Sequence, residues 1–252
     1  MIDFGYRTDV GRVRNANEDS LLILPKHNLF AVADGVGGQI SGEVASRNAV
    51  NGIEDFVKAN PIDSADNLEG KYRENWFRSY FLRCFQKINN DIIALTVKDT
   101  KLRGMATTAV SAYIDDETLY LTNVGDSRAY IIRDGEISQL TVDHSYVNKL
   151  VDEGSITKSE ARIHPQKNVI TKAIGVESNT EPDFYSFEIH NGDYILLSTD
   201  GLHGELTDEI IRDIVLAQND LNKTCKKLVE MANNHGGGDN ITVVLLKAKI
   251  RK

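Results

Sequence analysis

Cysteine is scarce: Cys84 and Cys225 are the only two among 252 residues, far apart and in segments with helical patterning. They form neither a CxxC pair nor the closely spaced even set of a disulfide framework, so both are expected to be inert core residues. Cys84 is followed by Phe85-Gln86-Lys87-Ile88-Asn89-Asn90, which lacks the arginine of a CxxxxxR phosphate loop and so excludes a cysteine nucleophile there. Positive charge is in deficit, with 29 Lys+Arg against 37 Asp+Glu and a net charge of −8. A nucleic-acid backbone requires a basic footprint, so nucleic acid is not an expected partner and bound cations are. No HExxH zinc motif is present. No apolar run approaches the roughly 18 residues of a membrane span, and Met1 to Arg7 shows no basic segment leading into an apolar one. A soluble cytoplasmic protein is expected, with no membrane association. Gly37-Gly38 and Gly236-Gly237-Gly238 are not followed by Lys-Ser or Lys-Thr and do not form GxGxxG, which argues against a nucleotide cradle. These glycines are expected instead to let the backbone approach bound ions.

The chain is long enough for one large domain or two small ones, with roughly 70–75% of the extended-chain surface buried on folding. Ile2 to Thr8, Ser20 to Leu24 and Leu29 to Ala33 read as strands. The last two are joined by the turn Pro25-Lys26-His27-Asn28 and should therefore be antiparallel. Ser41-Gly42-Glu43 opens a helix in which Ala45, Ala49, Ile53 and Phe56 recur at helical spacing. A second helix is predicted from about Asn75 to Val97. Its stripe of Trp76, Tyr80, Cys84, Ile88, Ile92 and Leu95, flanked by Phe77, Phe81 and Phe85, is broad enough to cover a sheet. The polar stretch Asn60 to Asn67 between the helices reads as a surface connection.

Thr107–Ile114, Thr118–Val124, Arg128–Arg133 and Ile137–Leu140 read as a meander. Its connections are Asp115-Asp116-Glu117, Gly125-Asp126-Ser127 and the hairpin turn Arg133-Asp134-Gly135-Glu136. From about 144 to 175 the strand rhythm breaks, and two short helices, Tyr146 to Glu153 and Lys158 to Arg162, suggest an insert over a sheet end. Strands return at Tyr185 to Ile189 and Asp193 to Thr199. Helices follow at about Asp208 to Ala217 and Leu221 to Asn233, and a last strand runs from Ile241 to Ala248. Segregated strand runs and helix pairs point to an α+β fold of mainly antiparallel sheets covered by helix pairs. There is no internal repeat.

Three carboxylates lie at strand ends. Asp34-Gly35 follows Leu29–Ala33, Asp200-Gly201 follows Tyr194–Thr199, and Asp239-Asn240 precedes Ile241–Leu246. Each alone is an ordinary turn pair; together they could be delivered to one place. Two unit charges at ~5 Å in an effective dielectric of about 20 repel by roughly 3 kcal/mol, and bound cations would compensate. Carboxylate and carbonyl donors without histidine or cysteine favour Mg2+ or Mn2+ over zinc.

The order of motifs along the chain adds to this. Arg14-Asn15-Ala16-Asn17-Glu18-Asp19 is followed by Ala33-Asp34-Gly35-Val36-Gly37-Gly38, Gly104-Met105-Ala106-Thr107-Thr108 and Asn123-Val124-Gly125-Asp126-Ser127-Arg128. Ser198-Thr199-Asp200-Gly201-Leu202 and Gly237-Gly238-Asp239-Asn240-Ile241-Thr242 complete the succession. It resembles the metal-dependent type 2C protein serine/threonine phosphatases, specifically their compact bacterial members, over nearly the whole chain. The resemblance implies a single catalytic domain over 1–252 with a four-layer α-β-β-α sandwich and a flap-like insert at about 144–175. It also implies a centre of two Mn2+ or Mg2+ ions at one end of the sandwich. By match of motif, Asp34 would bridge both ions and the Gly35 carbonyl would ligate one. Asp200 and Asp239 would ligate the other, while Glu18 and Asp19 would hold metal-bound waters. Asp126 with Asp200 would form a weaker third site. Arg14, which alone would read as a solvated surface residue, aligns with the arginine that grips the substrate phosphate. Hydroxide bridging the two ions would attack phosphorus directly. Implied partners are phosphorylated proteins, including a Hanks-type serine/threonine kinase and its substrates.

One position departs from the pattern. Many eukaryotic members carry histidine directly after this Asp-Gly as the general acid, and here the residue is Val36, so the acid is unassigned. Arg128 is expected to tie its loop down, and His144 and His164 to flank the flap in structural roles. Two other readings stay open on the sequence: a binding module that keeps the fold without catalysis, and a two-metal enzyme acting on nucleic acid or nucleotides. The complete set of acids weighs against the first and the net charge against the second.

Overall fold

Apolar side chains alternate between two cores along each central strand, and this alternation builds the layers. The structure is a computed structural model describing residues 2–37, 41–65 and 67–249, so Gly38 of the expected glycine pair and Asp66 of the polar connection lie outside the described residues. The chain opens with β1 (Ile2–Asp9), β2 (Asp19–Leu24) and β3 (Leu29–Val36), followed by α1 (Ser41–Ala59) and α2 (Gly70–Lys98). Next come β4 (Ala106–Thr107), β5 (Ala109–Asp115), β6 (Thr118–Val124), β7 (Arg128–Arg133) and β8 (Glu136–Gln139). Helices α3 (Tyr146–Asp152) and α4 (Lys158–Ile163) precede β9 (Asp183–Glu188) and β10 (Tyr194–Ser198). The chain then forms α5 (Asp200–His203), α6 (Asp208–Leu216), α7 (Leu221–His235) and β11 (Ile241–Ala248).

One sheet has the order β1-β11-β10-β7-β8 and the other β2-β3-β5-β6-β9, with β4 paired to β3, and every pairing is antiparallel. In β3, Phe30 and Val32 point between the sheets, while Leu29, Ala31 and Ala33 join the core under α1 and α2. In β11, Val244 and Leu246 point between the sheets, and Val243 and Leu245 pack beneath α6 and α7. The result is the expected α-β-β-α sandwich with three cores. The helical stripe of α2 is buried as expected: Phe77 lies 4.6 Å from the Tyr120 ring and 5.0 Å from that of Tyr113. The two cysteines are buried in opposite outer layers, Cys84 on the inner face of α2 and Cys225 on that of α7.

Three expectations are corrected. The meander does not continue from β6 to β7: β6 takes β9 as its second neighbour, and β7 joins β10 in the other sheet. The three residues between them cross from sheet to sheet, with Gly125 at φ +103° supplying the bend. Thr107–Ile114 is not one strand, because Thr108 leaves the ladder to bond the Asp34 backbone, its N–H donating to the Asp34 carbonyl at 2.9 Å and its Oγ1 accepting from Asp34 N–H at 3.0 Å. Helix α2 begins at Gly70 rather than near Asn75; its exposed first turn carries no apolar stripe and is anchored by Arg73, whose guanidinium pairs with Asp115. Among the described residues, no helix is long and apolar enough to cross a membrane.

The segment 144–175 holds α3 and α4 and is tied at its base by bridges between Ser145 and Ile170 and between Thr107 and Ile174. Thr107 also pairs with Gly35, so this base lies beside the end of β3. For the helix-side core, Phe77→Ala is expected to lower the free energy of unfolding by about 3–5 kcal/mol, as measured by urea denaturation, because the ring is fully buried among aromatic neighbours.

Candidate metal centre

Strand register brings the acids to one end of the sandwich. The β2–β3 ladder sets Asp19 directly opposite Asp34. In the other sheet, Ser198 lies opposite both Arg128 and Val243, so the chain just beyond β10, just before β7 and just before β11 emerges at the same end. Those three places carry Asp200, Asp126 and Asp239. In keeping with this placement, the charges of Asp19, Asp200, Asp126 and Asp239 all act on Asp34.

The backbone around each acid is closely held. Gly35 N–H donates to the Glu18 carbonyl at 3.2 Å, and a Cβ at Gly35 would stand 2.1 Å from the Gly42 carbonyl oxygen, so only glycine fits. A Cβ at Gly201 would stand 2.0 Å from the Asn240 carbonyl oxygen, which packs the Asp200 turn directly on the Asp239-Asn240 loop. Thr199 Oγ1 donates to Asp19 Oδ2 at 2.8 Å and accepts from Thr242 N–H at 3.0 Å. Asn240 spans the loop ahead of β2. Its Oδ1 accepts from Glu18 N–H at 2.7 Å, and its Nδ2 donates to the carbonyls of Val10 and Ala16, each at 2.9 Å.

Burial and mutual repulsion raise the proton affinity of the acids. Burial first, then the charges of Asp19, Asp200, Asp126 and Asp239, hold Asp34 well above the usual carboxylate range. Burial pushes Asp19 up to about 7, Asp126 to about 8 with Asp200 adding to it, and Asp200 to about 6 with Asp239 adding to it. Glu18 is also raised, chiefly by burial. Asp19 Oδ1 and Asp200 Oδ1 are buried with no hydrogen-bond partner among the described residues. Orphaned carboxylate oxygens amid unrelieved negative charge, in an all-oxygen donor set, fit hard divalent cations. Among the described residues, no three acidic, histidine or cysteine side chains close on a single centre. Asp239 is engaged elsewhere: Oδ2 accepts from the Arg14 guanidinium at 2.7 Å and Oδ1 from Asn240 N–H at 2.8 Å.

Arg14 is half-exposed at the rim of a cavity of about 380 Å³ lined by Val13, Arg14, Asn15, Ala16, Glu18, Gly37 and Asn240. Val36, directly after the Asp34-Gly35 pair, is 41% exposed and offers no proton. His203 is buried, its Nδ1 3.1 Å from Ser198 Oγ, and burial holds its pKa well below the ordinary value. Arg128 ties its loop down as expected, bonding both oxygens of Asp143 and the Tyr130 hydroxyl. The structure thus gathers Arg14, Glu18, Asp19, Asp34, Gly35, Asp126, Asp200 and Asp239 at one end. Sequence reasoning gave no role to Thr108, Thr199 or Gly42. Only a glycine inside a helical start, at Gly42, offered a signal for any of them.

Residues 12–242 match the family model described as protein phosphatase 2C. The chain is 39% identical over 249 residues to the protein phosphatase PhpP of Streptococcus pneumoniae, covering 97% of each chain. It is similar to the crystal structure of the Mycobacterium tuberculosis serine/threonine phosphatase PstP/Ppp, with a TM-score of 0.87, 34% identity and coverage of 98% of this chain and 99% of that one. The catalytic domain of PstP in complex with two manganese ions matches with a TM-score of 0.84 and 33% identity, covering 98% of this chain and 97% of that one.

The raised acids set a pH dependence. An unfolded aspartic acid titrates near about 3.9, so between about pH 4 and the folded values the native protein holds more protons than the unfolded chain. Stability then falls as pH rises through that window. Chelator-treated protein is expected to melt at a lower temperature at about pH 8 than at about pH 6, and saturating Mn2+ is expected to reduce the difference; a melting temperature that rises over this range without metal would contradict the assignment.

Proposed function

The chain belongs to the protein phosphatase 2C family and is a serine/threonine protein phosphatase, and on that premise we propose that it hydrolyses phosphoserine and phosphothreonine in proteins with two Mn2+ or Mg2+ ions held by its acid cluster. The observation that carries this reading is the gathering of Asp19, Asp34, Asp126, Asp200 and Asp239 at one end of the sandwich, where Asp19 and Asp200 each keep a buried oxygen without a partner among the described residues. Asp34 and the Gly35 carbonyl would hold one ion, and Asp34, Asp200 and Asp239 the other. Glu18 and Asp19 would hold water around the pair, and Asp126 with Asp200 would take a weaker third ion. When bound, the ion pair acidifies a water to serve as nucleophile and neutralises the phosphoryl oxygens.

The chain's own residues do the positioning. Thr107 and Thr108 fix the Asp34 backbone, with Thr107 Oγ1 donating to its carbonyl at 2.8 Å. Thr199 fixes Asp19. Arg14, at the cavity rim, can turn two parallel N–H donors toward a phosphate, and its proximity to Asp239 keeps it at the site. The departing serine or threonine alkoxide needs a proton. Val36 cannot give one, and His203 is committed to Ser198, so the proton must come from a water at the site or from another side chain that reaches in. Segment 144–175, based beside Gly35, acts as a flap where protein substrates are sorted. A cytoplasmic setting, with a Hanks-type kinase and its targets as partners, belongs to the same reading.

Parallel assays of phosphate release from phosphothreonine, phosphoserine and phosphotyrosine peptides with Mn2+ test the reading; preference for the tyrosine peptide would overturn it. Asp34→Asn is expected to cut turnover of the phosphothreonine peptide at least about 100-fold without unfolding the chain, and wild-type turnover in that variant would refute the ligand role. Val36→His is expected to raise hydrolysis of alkyl relative to aryl phosphates; an unchanged ratio would show that alkoxide protonation does not limit the rate.

A further inference from the structure

His144 stands where three parts of the molecule meet. Its backbone N–H donates to the Gly125 carbonyl at 3.0 Å, and its ring Nδ1 accepts from Gly125 N–H at 3.0 Å, so both backbone polar groups of Gly125, the residue preceding Asp126, are clamped by one residue. Because Nδ1 is an acceptor, the ring proton belongs on Nε2, which faces Asp183 Oδ2 on β9 at 3.2 Å. Asp183 uses its other oxygen to accept from Lys172 Nζ at 2.9 Å, and Thr171 N–H donates to the His144 carbonyl at 2.7 Å. His144 and Lys172 are the two feet of segment 144–175, so one carboxylate on a sheet edge holds both feet while the imidazole holds the crossover carrying Asp126. The ring is largely enclosed, with 14% of its side-chain surface exposed.

We propose that His144 is a positioning residue whose neutral imidazole fastens the Asp126 crossover to the base of segment 144–175, so that the acid and the insert keep a fixed relation. This rests on the phosphatase reading for its catalytic consequence, but the mechanical coupling stands apart from it. The alternative, a histidine that merely fills space, makes no distinction between side chains that preserve different halves of its bonding. Asparagine can place an oxygen where Nδ1 lies and so keep the bond from Gly125. Glutamine reaches toward Asp183 and gives that bond up.

The test compares His144→Asn with His144→Gln by amide hydrogen exchange on chelator-treated protein and by steady-state kinetics with Mn2+ on a phosphothreonine peptide. Exchange at Gly125 to Arg128 is expected to accelerate at least about tenfold in His144→Gln, while exchange at Thr171 to Ile174 stays near that of the wild type. The kcat of that variant should fall about tenfold with little change in KM, the scale on which a misplaced group costs rate. His144→Asn should retain most of the protection at residues 125–128 and most of kcat, while exchange at 171–174 accelerates. Two variants indistinguishable from each other, whether both wild-type-like or both equally impaired with parallel loss of melting temperature, would overturn the proposal. Wild-type protein inactive on every phosphopeptide would instead overturn the phosphatase reading, and the exchange data would still decide the role of His144.

Discussion

Negative charge held together against its own repulsion is the constraint on which the rest of the molecule depends. Five aspartates contributed from both sheets gather at one end of the sandwich, and each close pair costs on the order of 3 kcal/mol unless it is neutralised. Burial and this repulsion raise the proton affinity of Asp19, Asp34, Asp126 and Asp200, and a bound proton relieves part of the repulsion. The backbone cannot relax to separate the charges, because Gly35 and Gly201 press against neighbouring carbonyls and Asp34 is bonded on both sides of its peptide. The sandwich therefore acts as a rigid frame that keeps an unfavourable arrangement available for cations.

The frame owes its rigidity to register. An antiparallel ladder fixes which residues stand opposite one another, and a slip by one would turn every apolar side chain to the wrong core. Asp19 opposite Asp34 is thus enforced by the same alternation that buries Phe30 and Val32 on one face and Ala31 and Ala33 on the other. Packing energy, distributed over three cores, underwrites the placement of a few polar atoms.

Much of this could be read from the residues alone. The stripes of α1 and α2 and the strand runs bordered by Asp34, Asp200 and Asp239 were visible as patterns of spacing, whereas Arg14, Glu18, Asp19 and Asp126 were implied only by the resemblance of the ordered motifs. The failures have physical causes. Gly125-Asp126-Ser127 is short enough for a hairpin, and nothing local distinguishes a hairpin from a step between sheets; the choice is made by β9, which claims the free edge of β6 from about sixty residues away. Thr108 looks like any strand residue until the Asp34 peptide competes for its hydrogen bonds. The work of Asn240 and His144 was equally hidden, since each gathers segments that are remote in sequence and a side chain's partners are not encoded in its neighbours.

The two buried cysteines give the sandwich an intrinsic readout. Burial pushes each thiol up to about 12, so neither reacts while its helix stays in place. Cys84 is enclosed only by the layer formed with α1 and α2, and Cys225 only by the layer formed with α6 and α7. Lifting one helical blanket would therefore unmask one sulfur and leave the other silent, so the native chain already distinguishes which side of the sandwich opens first.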